Sequence, residues 1–442
     1  MGIFGTDGIR GLVNKELTPE FSYCFGKAVA LYLKEINEKP KIVIGKDTRT
    51  SCDMLCFSLA SGLMSQGVDV DFVNVVPSPC ISFLSQYYDL GIMVTASHNP
   101  ANFNGIKIFQ KSGEKIDDAI QNKLKFYLKS LSDYSNVNFN EIGKLIFNED
   151  IANKYVIHLA NIIGDLNGVA VLLDCAFGAN YKFAPYIFKK LNANVKVINA
   201  ENNGNQINNN CGVMHIEKLQ NEMLCGKYEI GFAFDGDGDR VYACTKSGQI
   251  LDGDKLIYVF SKLLKIKDSV VGTLMTNFGT EQSLEKLGIK LIRTEVGDKF
   301  VASKLKEKDL KLGGEKSGHI ILSEYSVTGD GILVAGMLCK LLINENLDEL
   351  LDGYQEYPHI EKSFKVEEKK KRIILKSKKI ANILYDYENE LINEGRLVFR
   401  PSGTEPVLRL LVEGKDYDTI NKIACEIEKV VKIVIEEIQS NY

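Results

Sequence analysis

Two separated segments of the chain carry side chains that together could transfer a phosphate group. In residues 95–100 (TASHNP), Ser97 offers a hydroxyl with the imidazole of His98 beside it. In residues 235–240 (DGDGDR), three carboxylates stand two residues apart between glycines. A serine that carries phosphate needs a cation to neutralise its charge, and alternating aspartates can hold one. The two segments therefore predict a phosphoryl-transfer enzyme.

The aspartate run is the more specific of the two signals. Side chains at i, i+2 and i+4 can converge on one point where glycines let the backbone curl. Three crowded carboxylates repel one another, so we expect Asp235, Asp237 and Asp239 to hold a hard cation such as Mg²⁺. An EF-hand calcium loop is excluded, because Arg240 and Lys246 stand where it needs glycine and glutamate. A glycine-rich acidic turn without an ion is the structural alternative.

The serine segment is less specific. A serine on a tight loop after a strand is expected to be exposed, but this run could equally be a simple turn. A Ser-His-Asp hydrolase is disfavoured, because adjacent residues rarely meet as nucleophile and base and no G-x-S-x-G sequence surrounds Ser97. Lys107 is a candidate neighbour of the loop. With a lowered pKa it could carry a proton, whereas an unsupported lysine is usually a solvated surface group.

Two further loops could recognise an anionic sugar. Residues 400–406 (RPSGTEP), with Arg409 nearby, offer hydroxyls, free amides and an arginine fork, which suit a dianionic phosphate. Residues 314–319 (GEKSGH) offer a carboxylate and a hydroxyl for sugar hydroxyls. Each could by itself be an ordinary loop or turn. A nucleotide P-loop is excluded, because the chain has no G-x-x-x-x-G-K-[ST] sequence.

Alternating elements must position these loops. Short apolar strands alternate with amphipathic stretches over the first two-thirds of the chain, which predicts α/β layering. The first helix is predicted to begin at Pro19 with Thr18 as N-cap, and its apolar stripe extends over residues 21–36. The apolar runs predict strands at 41–44, 68–76, 92–94, 169–173, 195–198, 230–234, 270–275, 291–294 and 320–322, and a helix at 255–264. The strand at 230–234 would present the aspartates at its carboxyl end, where open α/β sheets bind ligands.

The last part of the chain differs in composition. Residues 362–379 are lysine-rich, and the charge run at 367–372 (EEKKKR) is typical of a solvated surface. We interpret this region as the join to a small C-terminal α+β domain that ends in a helix over 417–439. The predicted domains are residues 1–152 with the serine loop, 153–253 with the aspartate loop, 254–362 with the GEKSGH loop and 363–442 with the RPSGTEP loop.

Composition narrows the class of protein. A chain of 442 residues is too long for one core. Its 54 Lys+Arg and 58 Asp+Glu give a net charge of −4, which argues against a nucleic-acid-binding protein. Membrane insertion and secretion are not expected, because no apolar run could span a bilayer and no signal peptide is visible. Ten cysteines without a CxxC pair indicate reduced thiols and a cytoplasmic protein.

Five segments of the chain resemble, in order, the active-site motifs of the α-D-phosphohexomutase superfamily. Residues 5–11 (GTDGIRG) are similar to its N-terminal active-site segment, and residues 95–100 to its phosphoserine loop. Residues 235–240 match its metal loop, 315–319 its sugar-recognition loop and 400–406 its phosphate-binding loop. The resemblance spans nearly the whole chain. It implies an α/β fold of three domains with mixed sheets and a smaller C-terminal α+β domain around a central active-site cleft.

Within the superfamily the chain most resembles the bacterial phosphoglucosamine mutase branch. Residues 206–215 (QINNNCGVMH) are similar to that branch's N-I-N-x-x-C-G-x-x-H pattern, where the mannose/glucose branch usually has a proline- and histidine-rich segment. Gln206, Lys299 and Lys316 depart from the branch by replacing an asparagine, an arginine and a glutamine. Lys316 lies in the sugar loop, so a phosphomannomutase/phosphoglucomutase stays an alternative. A non-catalytic sugar-phosphate sensor is a second alternative, although a sensor needs no nucleophile.

The resemblance implies transfer of phosphate between the 6- and 1-positions of glucosamine phosphate. The transferred phosphate would be carried by Ser97 and by a hexosamine 1,6-bisphosphate intermediate. One Mg²⁺ per chain would be held by Ser97 and the three aspartates, with Arg240 beside the metal site. The resemblance implies a small-molecule sugar phosphate as the binding partner. Binding to nucleic acid or to a membrane is not expected, and a homodimer is left open. The remaining implied site residues are Arg10, His98 and Lys107 for catalysis, and Glu315, Ser317, His319, Arg400, Ser402, Gly403, Thr404 and Arg409 for substrate binding.

Overall fold

The computed structural model describes residues 3–5, 7–343, 345–402 and 406–440. The chain forms two compact units. The larger unit comprises Met1–Thr273 and Thr294–Asp352, and the smaller unit comprises Leu274–Arg293 and Gly353–Tyr442. The four domain boundaries proposed from the sequence stay a prediction.

The strands and helices follow one another along the chain as expected for layered α/β units. The strands are β1 (Ile9–Leu12), β2 (Lys41–Lys46), β3 (Asp69–Val75), β4 (Leu90–Val94), β5 (Phe103–Gln110), β6 (Leu145–Phe147), β7 (Ala170–Asp174), β8 (Asn194–Ile198), β9 (Ile230–Phe234), β10 (Val241–Thr245), β11 (Ile250–Leu251), β12 (Ser269–Thr273), β13 (Lys290–Thr294), β14 (Leu312–Gly314), β15 (Ile320–Leu322), β16 (His359–Lys365), β17 (Gly395–Pro401) and β18 (Val407–Gly414). The helices are α1 (Pro19–Lys34), α2 (Cys52–Met64), α3 (Ser78–Leu84), α4 (Asp118–Lys129), α5 (Asn153–Ile163), α6 (Asn180–Lys190), α7 (Glu217–Cys225), α8 (Gly253–Leu263), α9 (Phe278–Glu285), α10 (Asp298–Lys308), α11 (Gly331–Leu341), α12 (Leu347–Leu350), α13 (Glu368–Leu375), α14 (Lys378–Glu390) and α15 (Tyr417–Ser440).

The first helix begins where its sequence signals place it. The Thr18 hydroxyl accepts a hydrogen bond from the Phe21 amide at 3.2 Å, and Pro19 occupies the first helical position, where its missing amide hydrogen costs nothing. The helix buries Phe25, Val29 and Leu33 in the core of the larger unit. The capping prediction is confirmed, and the helix ends two residues before the predicted limit of 36.

A mixed six-stranded sheet positions the serine loop. Its strand order is β1-β5-β4-β2-β3-β6, with β2 parallel to β3 and β4, and with β5 antiparallel to β4 and β1. Because β2 and β4 are parallel, the residues after Lys46 and after Val94 emerge at the same edge. The TASHNP loop therefore starts beside the segment that follows β2.

A second mixed sheet carries the aspartate run. Its strand order is β11-β10-β9-β7-β8, and β9 has the predicted bounds Ile230–Phe234 with every residue buried. The DGDGDR residues form the turn between β9 and the antiparallel β10, where Gly238 adopts a φ of +75° that favours glycine. In the third block β12 runs parallel to β14, and β14 runs antiparallel to β15. The GEKSGH loop joins β14 to β15.

The smaller unit contains the antiparallel sheet β16-β18-β17, covered by α14 and α15. Strand β16 and helix α13 occupy most of residues 362–379, and the interpretation of that stretch as the join to the C-terminal domain stays a prediction. Lys371 of the charge run is 2% exposed, and its Nζ donates to the Ser402 carbonyl at 3.0 Å. The rest of the run is exposed or half-buried, as expected for a solvated surface, and Lys371 lies on the face of the amphipathic helix that packs inward.

The fold-class prediction of α/β blocks with mixed sheets and a smaller α+β unit is confirmed. Helix α15 matches the predicted terminal helix to within one residue. No helix in the described part of the chain combines the length and apolar character that a membrane span requires.

Candidate active site

Ser97 follows β4 in a loop with an uncommon backbone conformation. Its φ is +52°, in the left-handed region that costs free energy for a residue with a side chain. Its amide donates to the Thr95 hydroxyl at 2.9 Å. The expectation that the serine is exposed is wrong, because Ser97 is fully buried. The aspartate turn lies directly against the loop, and a Cβ placed on Gly236 would stand 2.5 Å from the Ser97 carbonyl oxygen.

The two segments that opened the sequence argument are in direct contact. The Ser97 hydroxyl donates a hydrogen bond to Asp235 Oδ2 at 2.6 Å, across 138 residues of sequence. The other oxygen, Asp235 Oδ1, accepts from the amides of Gly238 at 3.0 Å and Arg240 at 3.2 Å, which fixes the carboxylate in the turn. Burial and the neighbouring carboxylate of Asp237 raise the pKa of Asp235 well above its usual range. The serine hydroxyl thus points at an acidic group rather than at the adjacent His98.

The three aspartates form a compact set of oxygen ligands. Asp235, Asp237 and Asp239 are all buried, and one oxygen from each lies within 4.8 Å of the others. Asp237 Oδ1 and Asp239 Oδ1 are buried without a hydrogen-bond partner in the described part of the chain. Buried carboxylate oxygens that accept no hydrogen bond are costly, and a nearby cation reduces that cost. The donor set therefore fits a hard divalent cation such as Mg²⁺.

Lys107 supplies a positive charge inside this cluster. The residue lies on β5 with 1% exposure, and its Nζ donates to Asp237 Oδ2 at 2.7 Å and Asp239 Oδ2 at 2.8 Å. Burial lowers the pKa of the ammonium, but the carboxylates outweigh burial and hold the pKa well above its usual range. The alternative of a solvated surface lysine is therefore wrong. The lowered pKa that would suit proton transfer is not found, and Lys107 is a counter-ion in this structure.

A second charged layer, which the sequence argument did not identify, surrounds the first. Asp7 lies 3.1 Å from the Lys107 ammonium, and it also pairs with Arg10 and Lys115. Lys115 in turn pairs with Asp298, at the start of α10. Asp7 belongs to the GTDGIRG motif and could have been found there. Lys115 and Asp298 belong to no motif that was singled out, and only packing brings them together.

Arg10 and His98 flank the serine loop. Arg10 Nη1 donates to the Asn99 side-chain oxygen at 2.7 Å. Burial, followed by the positive charges of Arg240 and Arg10, lowers the pKa of His98 to about 3. The imidazole is therefore neutral at pH 7, and it cannot stabilise charge as an imidazolium in this state. Arg240 contributes its backbone amide to the aspartate turn, and its Nε lies 3.9 Å from Asp239 Oδ1.

The GEKSGH loop reaches the aspartate turn through His319. His319 Nε2 accepts from the Gly329 amide at 2.9 Å, and Nδ1 lies 3.7 Å from Asp239 Oδ1. Burial lowers the pKa of His319, but the Asp239 carboxylate outweighs it and the pKa is raised. Glu315 Oε1 accepts from the Gly297 amide at 3.0 Å, and the Ser317 hydroxyl is buried without a partner among the described residues. The loop therefore holds polar groups that a sugar could engage.

The RPSGTEP loop belongs to the smaller unit. Arg400 on β17 is the cross-strand neighbour of Arg409 on β18. Burial and then the charge of Arg409 lower the pKa of Arg400, because like charges that face each other across a sheet are unfavourable. An anion would relieve that repulsion. Ser402 is 7% exposed at the end of β17, while Gly403 and Thr404 lie outside the described residues.

Models of one protein family match the chain in four successive segments. The descriptions read phosphoglucomutase/phosphomannomutase, alpha/beta/alpha domain I over residues 1–135, domain II over 151–248, domain III over 252–357 and C-terminal domain over 361–430. The matched segments follow the order of the motifs. The resemblance inferred from the five motifs is thereby confirmed.

Individual proteins agree with the family match. A phosphoglucosamine mutase from Caldicellulosiruptor bescii is 41% identical over 435 residues, which cover 96% of this chain and 97% of that protein. A phosphoglucomutase/phosphomannomutase family protein from Burkholderia thailandensis has a TM-score of 0.83 at 24% identity, covering 98% and 97% of the two chains. The Aspergillus fumigatus N-acetylphosphoglucosamine mutase, solved with GlcNAc-6P and magnesium, has a TM-score of 0.67 at 18% identity, covering 98% and 96%.

Proposed function

Because the chain belongs to the phosphoglucomutase/phosphomannomutase family, we propose that it interconverts glucosamine 6-phosphate and glucosamine 1-phosphate. Such an enzyme is an intramolecular phosphotransferase of the isomerase class. The observation that carries the proposal is the 2.6 Å hydrogen bond from the Ser97 hydroxyl to Asp235. Among the described residues, two buried oxygens of this carboxylate triad accept no hydrogen bond. The 41% identity to a phosphoglucosamine mutase supports the choice of glucosamine phosphate over other hexose phosphates.

The transferred group resides on Ser97 between turnovers. The 1-hydroxyl of glucosamine 6-phosphate attacks the phosphorus and gives up its proton, the bond from phosphorus to Ser97 Oγ breaks as Oγ takes up a proton, and hexosamine 1,6-bisphosphate forms. After the bisphosphate turns around, Ser97 Oγ attacks the 6-phosphate and releases glucosamine 1-phosphate. Asp235 Oδ2 already accepts the hydrogen bond from Ser97 Oγ, so it can take the proton that the serine gives up in this second transfer, while the departing 6-oxygen takes up one proton.

Charge compensation is the main task of the surrounding residues, because phosphoryl transfer needs little covalent help. Asp235, Asp237, Asp239 and a phosphate oxygen on Ser97 would hold one Mg²⁺, which would supply Lewis-acid polarisation of the transferring group. Lys107 and Arg10 add fixed positive charge at the base of the loop. Arg240 steadies the aspartate turn through its backbone amide. His98 contributes a neutral ring at pH 7, which can share a hydrogen bond with the substrate through Nδ1.

Substrate recognition is divided between the sugar and its second phosphate. Glu315 and Ser317 offer a carboxylate and an unpartnered hydroxyl to the sugar hydroxyls, and His319 supports this loop from the side of Asp239. The facing guanidinium groups of Arg400 and Arg409 suit the phosphate that is not reacting. Ser402, Gly403 and Thr404 complete that proposed phosphate loop.

The function is tested with purified full-length protein, Mg²⁺ and a catalytic amount of glucose 1,6-bisphosphate. Conversion of the 6-phosphate to the 1-phosphate is followed by ³¹P NMR, with glucosamine, glucose and mannose 6-phosphates run in parallel. We expect the highest kcat/KM with glucosamine 6-phosphate. A higher value for mannose or glucose phosphate would assign the chain to the other branch, and tight binding without turnover of any of the three would indicate a sensor.

A further inference from the structure

The carbonyl oxygen of Ser97 is the point where three separate segments meet. Arg49 Nη2 donates to it at 2.9 Å, and Asn208 Nδ2 donates to it at 2.8 Å. Gly236 of the aspartate turn lies against the same oxygen, with no room for a Cβ. The backbone of the serine loop is therefore held from three sides, two of which lie outside the sheet that carries it.

Arg49 holds the loop from the side of β2. Its side chain is 1% exposed, and its Nε pairs with Asp47 Oδ2 at 3.0 Å. Its two terminal nitrogens donate to the loop carbonyls, including those of Asn99 at 2.7 Å and Phe103 at 3.1 Å. An arginine fork that meets carbonyls along a whole loop supports the loop as a unit. Because Arg49 serves the entire loop, its loss would disturb the fold as well as the serine.

Asn208 acts on the serine more selectively. It lies in the 206–215 run between β8 and α7, and its Nδ2 donates to the carbonyls of Ser97 at 2.8 Å and Asn99 at 3.0 Å. An amide nitrogen has two hydrogens, and here two carbonyl oxygens receive them. The backbone amide of Asn208 donates to the Ala176 carbonyl at 3.0 Å, and the residue is 7% exposed. The donor is thus anchored to the sheet that carries the aspartates.

We propose that Asn208 is a positioning residue that keeps the Ser97 backbone in its left-handed conformation and so keeps Oγ aimed at Asp235. The proposal rests on the proposed function. A φ of +52° is unfavourable for serine unless neighbouring groups compensate, and the two hydrogen bonds from Asn208 do so on the side that faces the aspartate turn. Relaxation of the loop toward ordinary φ would turn the Cα–Cβ bond of Ser97 away from Asp235. A small displacement of a reacting group is enough to reduce the rate of transfer strongly.

Two substitutions separate the hydrogen bonds from the volume of the side chain. Asn208→Ala removes the donor and leaves a gap. Asn208→Asp keeps the shape but places carboxylate oxygens against two carbonyl oxygens, so repulsion replaces attraction. Asn209→Ala is the matched control, because among the described residues that exposed side chain hydrogen-bonds only to Gln206 Oε1, at 2.9 Å. A role in filling space alone predicts that Asp is tolerated and Ala is not. A positioning role predicts that both fail.

The variants are compared by steady-state kinetics with glucosamine 6-phosphate and by intact-mass measurement of the phosphate retained on Ser97 during incubation in buffer. We expect kcat to fall by about 10- to 100-fold in Asn208→Ala, and at least as far in Asn208→Asp, while KM changes by less than about threefold. Phosphate should be lost from both variants faster than from wild type, because a loosened loop admits water. Asn209→Ala should match wild type in both measurements.

Several results would overturn the positioning role. One is full kcat in Asn208→Ala with an active wild type, and another is near wild-type kcat in Asn208→Asp. A third is a loss explained entirely by a smaller fraction of phosphorylatable chains, with an unchanged rate per phosphorylated chain. Failure of the proposed function is a different outcome, since it requires that wild type itself makes no glucosamine 1-phosphate.

Discussion

The ammonium of Lys107 lies 2.7 Å from Asp237 Oδ2, inside the cluster of carboxylates predicted to bind a divalent cation. The same nitrogen contacts Asp239 and Asp7, so one buried positive charge is shared among three acidic groups. A buried charge cluster is tolerated only when its charges are compensated. Lys107 therefore compensates part of the negative charge of this cluster.

We predict that in Lys107→Met the thermal stability depends more strongly on Mg²⁺ than it does in wild type. Removing one partner of a buried ion pair costs about 3–5 kcal/mol, because the carboxylates are left uncompensated. Thermal unfolding is measured in EDTA and in Mg²⁺. We expect a lower Tm than wild type in EDTA and a larger rise on adding Mg²⁺. Lys111→Met, at an exposed position after β5, is the control, and equal Mg²⁺ responses in all three proteins would show that Lys107 does not compensate the cluster.

Replacement of Ser97 tests the nucleophile directly. Ser97→Ala should lose mutase turnover by roughly 10³-fold or more, because no other hydroxyl is proposed to carry the phosphate. Its circular dichroism spectrum should match that of wild type. Peptide mapping by mass spectrometry should find a phosphate on the Ser97 peptide of wild type and none on that of the variant. The exposed serine variant Ser112→Ala is the control, and full activity of Ser97→Ala would end the assignment.

The arginine pair of the smaller unit should govern substrate affinity. In Arg400→Ala we expect KM for glucosamine 6-phosphate to rise by about 10- to 100-fold, because charge-assisted hydrogen bonds to phosphate are lost. The concentration of Mg²⁺ that gives half-maximal activity should stay the same, since Arg400 is not among the metal ligands. Arg372→Ala, at an exposed position on α13 of the same unit, should behave as wild type. A changed Mg²⁺ requirement in Arg400→Ala would contradict the division of roles.

Asp330 predicts a pH dependence of stability. It caps α11 by accepting from the Leu333 amide at 3.0 Å, and it accepts from the Tyr155 hydroxyl at 2.8 Å. Burial raises the pKa of Asp330 from 3.8 to about 6, a shift that corresponds to roughly 3 kcal/mol in the free energy of unfolding. The pKa of Asp330 is higher in the folded state than in the unfolded state, so protonation of this carboxyl stabilises the fold. The stabilisation is complete below about pH 3.8 and is lost as pH rises through about 6.

Asp330→Asn removes that titration while it keeps a side-chain oxygen for the cap. The Tm of the variant minus that of wild type should therefore become more positive between about pH 4 and pH 6 and should level off above about pH 7. Differential scanning calorimetry in matched buffers measures the difference. A difference that does not change with pH would show that the carboxyl titrates equally in the folded and unfolded states.

Local features of the chain were predictable because a few neighbouring residues decide them. The cap at Thr18, the bounds of β9 and the curl of the aspartate turn depend on the local hydrogen bonds, apolar runs and glycines that the sequence displays. The order of the five motifs was enough to indicate the family, which the matches to its four domains confirm. The assignment of roles to individual site residues remains a prediction.

The sequence by itself determined the family and the α/β layering, and it singled out the residues that are proposed to transfer phosphate. Only the tertiary structure decided that Ser97 is buried, that Lys107 is a counter-ion with a raised pKa, and that Asn208 reaches the serine loop. It also decided that Lys115 and Asp298 form an ion pair, and that the charged run around Lys371 has a buried face. The physical reason is the range of the interactions. Capping and turn chemistry act within a few residues, whereas burial and charge pairing depend on which distant segments pack together.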